Sequence, residues 1–257
     1  MAKIRVDQLL VDRGFAETRA KAQAIVLAGS VYARGQRVEK PGTTLPEETD
    51  LDVRDDRLPY VSRGGVKLAG ALDAFGIDPA GLRCLDVGAS TGGFTDCLLQ
   101  RGAAHVVAVD VGYGQLAQKL RVDPRVTNLE RTNARTLEPD AIGGMAALSV
   151  VDASFIGLGK LADALARCTA TGGTLVALVK PQFEVGRAEA SRGKGVVRDE
   201  AVRSAAIAEA RGDLVAAGFD VLGEVDCVIT GPKGNREAFF HARRVSSGSS
   251  TGSGSSA

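Results

Sequence analysis

An α/β fold is predicted, with a small N-terminal unit followed by a doubly wound, Rossmann-like sheet of seven strands. From about residue 82, short β-rich runs alternate with helical runs, which is typical of such sheets. Residues 1–60 lack this alternation, and the last twelve residues contain only Ser, Gly, Thr and Ala. We therefore expect domains over 1–58 and 59–245, and a disordered tail over 246–257.

Composition narrows the class of protein. The chain has 257 residues, a formal net charge of +1 and 44% hydrophobic residues, enough apolar side chains for a packed core. No apolar stretch approaches the roughly 18 residues of a spanning helix, and no apolar leader follows Met1. We expect a cytoplasmic protein with no membrane partner, favour a monomer and, without closely spaced Cys or His ligands, expect no metal.

The N-terminal unit combines short helices with a hairpin. Apolar residues within 6–10 share one helical face, and Thr18 is placed to cap a second helix. Residues 31–38 predict two strands joined by a turn at Gly35 and Gln36.

Basic side chains are concentrated in this unit. Residues 1–42 hold eight Lys or Arg against four Asp or Glu, a net charge of +4. Composition alone leaves ordinary solvated charge and a phosphate-binding face as equal alternatives. The side chains that would form such a face are Arg5, Arg13, Arg19, Lys21, Arg34, Arg37 and Lys40.

Two segments of this unit resemble the αL RNA-binding module of a small-subunit ribosomal protein and of pseudouridine synthases. They are the stretch from Arg5 to Val31 and the Gly-x-Arg-Val-x-Lys-Pro-Gly segment at 35–42. The resemblance implies that the second helix and the hairpin bind structured RNA.

The larger unit alternates strands with helices. The seven candidate strands are 83–87, 105–110, 126–129, 148–152, 174–180, 221–226 and 237–241. Helices are expected near 94–101, 115–121, 160–168 and 199–217. In such sheets ligands bind beyond the carboxyl ends of the strands, where we expect the functional residues.

A glycine-rich loop follows the first of these strands and opens a helix. Gly88, Gly92 and Gly93 are expected to let the backbone turn tightly and approach a ligand. A glycine-rich turn without a ligand is the plain alternative, and the Gly-x-Ser-x-Gly-Gly order differs from the dinucleotide fingerprint. The loop is similar to motif I of S-adenosylmethionine-dependent methyltransferases.

That resemblance implies a cofactor site for S-adenosylmethionine. Asp110, which ends the second strand, would bind the ribose hydroxyls, and Asn133 would contact adenine. The full set of expected cofactor contacts is Asp86, Gly88, Ala89, Ser90, Thr91, Gly92, Gly93, Phe94, Asp110 and Asn133.

Four ionisable side chains stand at strand ends or beside the site: Lys67, Asp152, Lys180 and Glu237. Singly, each could be a surface charge. Together they resemble the Lys-Asp-Lys-Glu tetrad of FtsJ-type ribose 2′-O-methyltransferases.

Five sequence blocks extend the resemblance, and with the N-terminal module the chain to about residue 244 resembles the TlyA family of hemolysins and ribosomal RNA methyltransferases. The blocks are Ser62–Gly65, Gly88–Asp96, Val151–Ile156, Lys180–Glu184 and Gly193–Asp199.

The resemblance implies ribosomal RNA as substrate and a catalytic role for the tetrad. Lys180, between Lys67 and the carboxylates, would orient or deprotonate a ribose hydroxyl, and partial burial beside a second cation would favour its neutral form. Asp152 and Glu237 would hold the lysines.

A glycine-interrupted segment, 187–198, is expected to form a mobile loop that grips RNA phosphate, unless it is an ordinary solvated insertion. Its basic residues are Arg187, Arg192, Lys194 and Arg198.

Two rival functions stay open: a membrane-active cytolysin and a non-catalytic RNA-binding assembly factor. No basic amphipathic helix with an aromatic or leucine face supports the first, and the intact tetrad disfavours the second.

Overall fold

The computed structural model describes residues 3–27, 30–53, 59–154, 156–185, 196–231 and 234–246. By its internal contacts the chain divides into two compact units, Met1–Leu58 and Pro59–Ala257. All of the expected tail except Ser246 lies outside the described residues. The same is true of residues 186–195, which include Arg187, Arg192 and Lys194; Arg198 is described and exposed.

The described residues of the first unit form two short helices and five short strands. Its elements in chain order are β1 (Lys3–Arg5), α1 (Val6–Asp12), α2 (Arg19–Leu27), β2 (Val31–Ala33), β3 (Gln36–Arg37), β4 (Thr44–Pro46) and β5 (Leu51–Val53). β2 pairs with β3 and β5, and β1 pairs with β4, in all cases antiparallel. As the sequence predicts, Thr18 caps α2, its Oγ1 accepting from the backbone N–H of Lys21 at 3.2 Å.

The hairpin of this unit turns at Arg34 and Gly35, so the predicted turn at Gly35 and Gln36 was wrong by one residue. Both turn residues have left-handed backbone, with φ of +51° and +78°, as a tight two-residue hairpin turn requires. Gln36 already pairs with Ala33 in the ladder. The misplacement arose because a non-glycine residue seldom adopts positive φ.

The second unit contains the seven-stranded sheet, and the predicted fold class is confirmed. Its strands are β6 (Arg83–Val87), β7 (His105–Val109), β8 (Val126–Leu129), β9 (Ala146–Val151), β10 (Thr169–Val179), β11 (Phe219–Asp226) and β12 (Ala238–Arg244). The spatial order is β11-β12-β10-β9-β6-β7-β8. β6 to β10 run parallel, and β12 runs antiparallel to both β10 and β11.

Helices cover this sheet. They are α3 (Arg63–Phe75), α4 (Gly93–Gln100), α5 (Gln118–Arg121), α6 (Gly159–Cys168), α7 (Pro181–Glu184) and α8 (Glu200–Ala216). The sheet separates two apolar clusters, one including Leu68, Leu98 and Phe239 and the other Leu165, Leu214 and Phe240. α5 starts later than expected, because the backbone N–H of Ala117 bonds the carbonyl of Thr91.

The strand order reverses between β6 and β9. From β6 the chain proceeds outward through β7 and β8, and from β9 it proceeds the other way to β10. Such a switch point opens a crevice at the carboxyl ends of the two central strands. Among the described helices, none combines the length and apolar character needed to cross a membrane.

Candidate functional site

Three of the four tetrad residues stand at one edge of the sheet. Asp152 directly follows β9, and Lys180 directly follows β10. Glu237 directly precedes β12, whose first residue, Ala238, pairs with Val179 at the end of β10. Because β12 is antiparallel, its beginning lies where the parallel strands end.

The fourth tetrad residue comes from α3. Ser62 caps this helix, its Oγ accepting from the backbone N–H of Gly64 at 3.3 Å. Lys67 lies one turn further along with 7% of its surface exposed. Its Nζ makes an ion pair with Glu237, which is 2% exposed, so the contact joins residues 170 positions apart.

The four groups form two lysine–carboxylate pairs. Lys180, 8% exposed, contacts Asp152 and donates to Ser154 Oγ at 2.8 Å. We expected Lys180 to lie between Lys67 and the carboxylates. In the structure each lysine instead contacts one carboxylate. Buried charges need such partners, because an isolated buried ion costs several kcal/mol.

Two uncharged residues that sequence reasoning missed complete this cluster. Ser154 accepts from Lys180, and Gln182 donates its Nε2–H to Glu237 Oε1 at 3.2 Å. Each stands two residues after a strand-end charge, Asp152 or Lys180. That spacing, inside the two sequence blocks noted above, was the signal that could have found them.

The loop after β6 packs against Asp152. Gly88 has φ of +84°, and an added Cβ would lie 2.6 Å from the carbonyl oxygen of Asp152. The backbone N–H groups of Gly88 and Ala89 donate to the carbonyl of Val109 at the end of β7. Gly88 is thus required for the close approach of the loop to the Asp152 backbone.

Gly92 and Gly93 pack against other parts of the chain on the side where a Cβ would stand. A Cβ on Gly92, whose φ is +97°, would lie 2.3 Å from Leu120 Cδ1. A Cβ on Gly93 would lie 2.2 Å from Ser62 Oγ. Packing accounts for the absence of a Cβ at both positions, and their expected contact with a ligand stays a prediction.

Gly92→Ala is expected to lower the free energy of unfolding by about 1–3 kcal/mol, because the methyl group overlaps Leu120 and the backbone is left-handed. Gly81→Ala is the matched control: its φ is +72°, but no atom of the described residues lies within 4 Å of the added Cβ. Denaturant unfolding of both variants measures the difference. If both variants lost the same free energy of unfolding, the overlap between the new methyl group and Leu120 would carry no energetic cost.

Asp86 and Phe94 are buried beneath the loop. Asp86 is 0% exposed, and its Oδ2 accepts from Thr95 Oγ1 at 2.7 Å. Within the described residues its Oδ1 has no hydrogen-bond partner, and burial raises the pKa of this carboxyl to about 7. The ring of Phe94 lies in the core, 6.1 Å from the ring of Phe239.

Asp110 connects the neighbouring loops. One carboxylate oxygen accepts from the backbone N–H of Ser90 at 2.8 Å and the other from that of Gly112 at 2.6 Å. The Asp110 carbonyl accepts from Thr132 N at 2.9 Å, which brings the exposed Asn133 beside it. Asn133 Oδ1 caps a short 3-10 helix by accepting from Arg135 N at 3.1 Å.

These groups fit a nucleoside-containing cofactor. Each Asp110 oxygen has a second lone pair, and such a carboxylate can accept from the two hydroxyls of a ribose. Ser90 and Thr91 are exposed in the loop between this carboxylate and the switch point. Across the ranges that the structure describes, no group of three or more His, Cys, Asp or Glu is arranged to hold a metal ion.

The basic residues of the first unit divide by their contacts. Arg5 and Arg19 both bind the buried Asp7, Lys21 pairs with Glu17, and Arg13 donates to the carbonyl of Thr49 at 2.8 Å. The remaining candidates, Arg34, Arg37 and Lys40, are exposed.

Two protein families match the chain. The FtsJ-like methyltransferase family matches residues 60–244, and the S4 domain family matches residues 4–51. Over 242 residues the chain is 49% identical to the 16S/23S rRNA (cytidine-2′-O)-methyltransferase TlyA of Mycobacterium tuberculosis, covering 94% of this chain and 90% of that protein.

Further relatives carry a different name. Hemolysin A of Brachyspira hyodysenteriae is 38% identical over 239 residues, which cover 93% of this chain and 99% of that one. A solved structure from Streptococcus thermophilus, described as a candidate hemolysin, has a TM-score of 0.73 and 42% identity, covering 95% of this chain and 90% of that one.

Proposed function

This chain belongs to the FtsJ-like methyltransferase family, and we propose on that premise that it methylates ribose 2′-hydroxyls of ribosomal RNA with S-adenosylmethionine. The observation that carries the proposal is the two lysine–carboxylate contacts, with both lysines buried, at the carboxyl edge of the sheet next to the β6 loop. The S4 domain and the named activity of the Mycobacterium relative support RNA as the substrate.

In this proposal the cofactor is held beside the switch point. Asp110 accepts from the ribose hydroxyls, Asn133 contacts the adenine, and the loop at 88–93 borders the methionine portion. S-adenosylmethionine supplies a methyl group that its sulfonium sulfur already activates. The chain must therefore align the acceptor oxygen and assist loss of its proton.

Lys180 is the group that we place at the ribose hydroxyl. Its Nζ contacts the Asp152 carboxylate and donates to the Ser154 hydroxyl. At the hydroxyl this amine would orient the oxygen toward the methyl group and, in its unprotonated form, accept the proton that the hydroxyl loses. Asp152 and Ser154 fix the position of the amine.

The Lys67–Glu237 pair supports the part of the site that carries Lys180. Glu237 bonds Lys67 on one oxygen and Gln182 on the other, which fixes the start of β12 against α3 and α7. Gln182 stands two residues after Lys180, so this pair restrains the chain that carries the reactive amine. We assign Lys67 and Glu237 to maintaining the shape of the acceptor site.

Asp110→Ala is expected to weaken S-adenosylmethionine binding by about 1–3 kcal/mol, because a charged acceptor is lost. Asp110→Asn retains one carbonyl-type acceptor and should bind with intermediate affinity. Calorimetric titration of the full chain measures both. An unchanged affinity for Asp110→Ala would exclude Asp110 from the cofactor site.

The deciding experiment supplies the purified protein with methyl-labelled S-adenosylmethionine and with ribosomal subunits from cells that lack this protein. We expect label in the RNA, within dinucleotides that resist alkali, because a 2′-O-methyl group blocks cleavage of the adjacent phosphodiester. Lys180→Ala serves as the inactive control. Label confined to bases would overturn the ribose assignment, and RNA binding without any transfer would favour the assembly factor.

The name of the Brachyspira relative keeps a cytolysin as the second candidate. A lytic protein would not need two lysine–carboxylate pairs with buried lysines beside a glycine-rich loop, so the tetrad favours methyl transfer. Leakage of dye from liposomes on addition of the purified protein would support the cytolysin instead.

A further inference from the structure

Glu184 is a partly buried carboxylate outside the tetrad. It ends α7, a single helical turn that begins directly after Lys180. Its two oxygens accept from the backbone N–H of Leu158, at 2.9 Å and 3.2 Å. Leu158 directly precedes α6 and is 3% exposed. Glu184 therefore joins the end of α7 to the start of α6.

The two chain segments that Glu184 joins also carry the Lys180–Asp152 pair. We call residues 152–158, between β9 and α6, the β9–α6 connection. Near its beginning, Asp152 contacts Lys180, and Ser154 accepts from the same amine at 2.8 Å. At its end, Leu158 donates to Glu184. The connection is thus held at both ends by the two residues that flank the α7 turn.

A glycine in the connection leaves room for this carboxylate. A Cβ on Gly157 would lie 2.8 Å from Glu184 Oε2, which is too close for either group to stay where it is. The next atom near that Cβ is the carbonyl oxygen of Phe183, at 3.5 Å, an ordinary contact. Gly157 is therefore required by the position of the Glu184 carboxylate.

Stability does not account for a carboxylate at this position. Burial, together with the nearby carboxylates of Asp213 and Glu209, raises the pKa of Glu184 to about 7, although the Leu158 N–H opposes the shift. Because this pKa lies above the usual value of 4.5, the folded chain loses stability as the pH rises from 4.5 through about 7. The ionised group is better explained by the chain that it holds in place.

We propose that Glu184 is a positioning residue that holds the β9–α6 connection against α7. In this role it keeps Asp152 and Ser154 in contact with the amine of Lys180, and so fixes that amine at the ribose hydroxyl. The proposal rests on the proposed function, which places Lys180 at the hydroxyl. Glu184 itself touches neither the substrate nor the cofactor, and it acts through the backbone of the connection.

Glu184→Ala should lower the single-turnover rate of methyl transfer by about tenfold or more, because small displacements of reacting groups slow a reaction strongly. The KM for ribosomal substrate and the affinity for S-adenosylmethionine should each change by less than about twofold, since neither ligand contacts Glu184. Rapid-quench kinetics and calorimetry give these quantities. A folded Glu184→Ala protein that is slowed by less than about threefold would overturn the proposal.

Glu184→Gln tests whether the hydrogen-bond acceptor or the charge matters. The amide keeps one oxygen for Leu158 N–H, so the rate should return to within about threefold of that of the unaltered protein. Denaturant unfolding at pH 8 should show a variant that is no less stable than the unaltered protein, because an ionised buried group has been removed. A rate as low as that of Glu184→Ala would overturn the proposal.

Glu209→Gln is the matched control. It removes an exposed carboxylate near Glu184 that makes no hydrogen bond to the described part of the connection, and its rate should be unchanged. A loss equal to that of Glu184→Ala would overturn the proposal, because it would assign the effect to charge on α8.

Gly157→Ala decides the question if Glu184→Ala does not fold. Its methyl group displaces the carboxylate but leaves every polar group in the chain, so the rate should again fall by about tenfold or more. A folded Gly157→Ala protein with a normal rate would overturn the proposal.

Hydrogen exchange separates this proposal from the proposed function, because it needs no methyl transfer. The Leu158 amide should exchange at least about tenfold faster in Glu184→Ala than in the unaltered protein or in Glu209→Gln. Unchanged exchange would overturn the contact on which the proposal rests. If the unaltered protein transfers no methyl group, the proposed function fails whatever the exchange result; if it transfers and folded Glu184→Ala is as fast, only the positioning role fails.

Discussion

Lys180→Ala is expected to lower the single-turnover rate of methyl transfer by about 10²–10⁴-fold, the range typical of losing a positioned proton-handling group. The affinity for S-adenosylmethionine should change by less than about twofold, because an interaction made in the transition state affects turnover rather than ground-state binding. Rapid-quench measurement on ribosomal substrate and calorimetry with the cofactor give the two quantities.

Lys160→Ala is the matched control for this variant. Lys160 is an exposed lysine near the start of α6, and its removal should leave both quantities unchanged. Thermal unfolding of the two variants checks that the unpaired Asp152 has not disrupted the fold; Asp152 is 22% exposed, so water partly solvates it. A folded Lys180→Ala protein with a near-normal rate would remove Lys180 from the proposed mechanism.

The sequence was most informative where hydrophobic periodicity and strand ends decide the structure. All seven predicted strands of the large sheet are present, and their order of appearance placed Asp152 and Lys180 at carboxyl ends. This succeeds because each strand is a local pattern, and because parallel strands bring their ends to one edge.

Pairing between distant residues could not be predicted in the same way. Nothing local to Lys67 or Glu237 shows that they bond each other, since the contact depends on the antiparallel direction of β12 and on the packing of α3. The glycine pattern was also ambiguous. From the sequence, Gly92 could be required either by a nearby ligand or by a neighbouring side chain. The fold shows that Leu120 occupies the space where a Cβ would stand.

The two units have separate hydrophobic interiors, which suggests that the second can fold without the first. The first unit packs Val6, Leu10, Val26 and Val31 together. The second unit has its own two clusters, one on each side of the sheet, and it contains all four tetrad residues and the β6 loop. The described side chains that form these two clusters all belong to the second unit.

A fragment comprising residues 59–257 is therefore expected to unfold cooperatively and to bind S-adenosylmethionine with the affinity of the full chain. Its kcat/KM on ribosomal substrate should nevertheless fall by about 10²-fold or more, because in the proposed function the first unit supplies the phosphate contacts that position the RNA and raise its effective concentration at the tetrad. The loss should appear mainly as a higher KM, and kcat should approach that of the full chain at saturating RNA. The reason is that phosphate contacts stabilise the ground state and the transition state alike.

The salt dependence of the fragment's RNA affinity should also be shallower, because residues 1–42 carry a net charge of +4. A fragment with full kcat/KM and an unchanged salt slope would show that the FtsJ-like unit finds its target without the S4 domain.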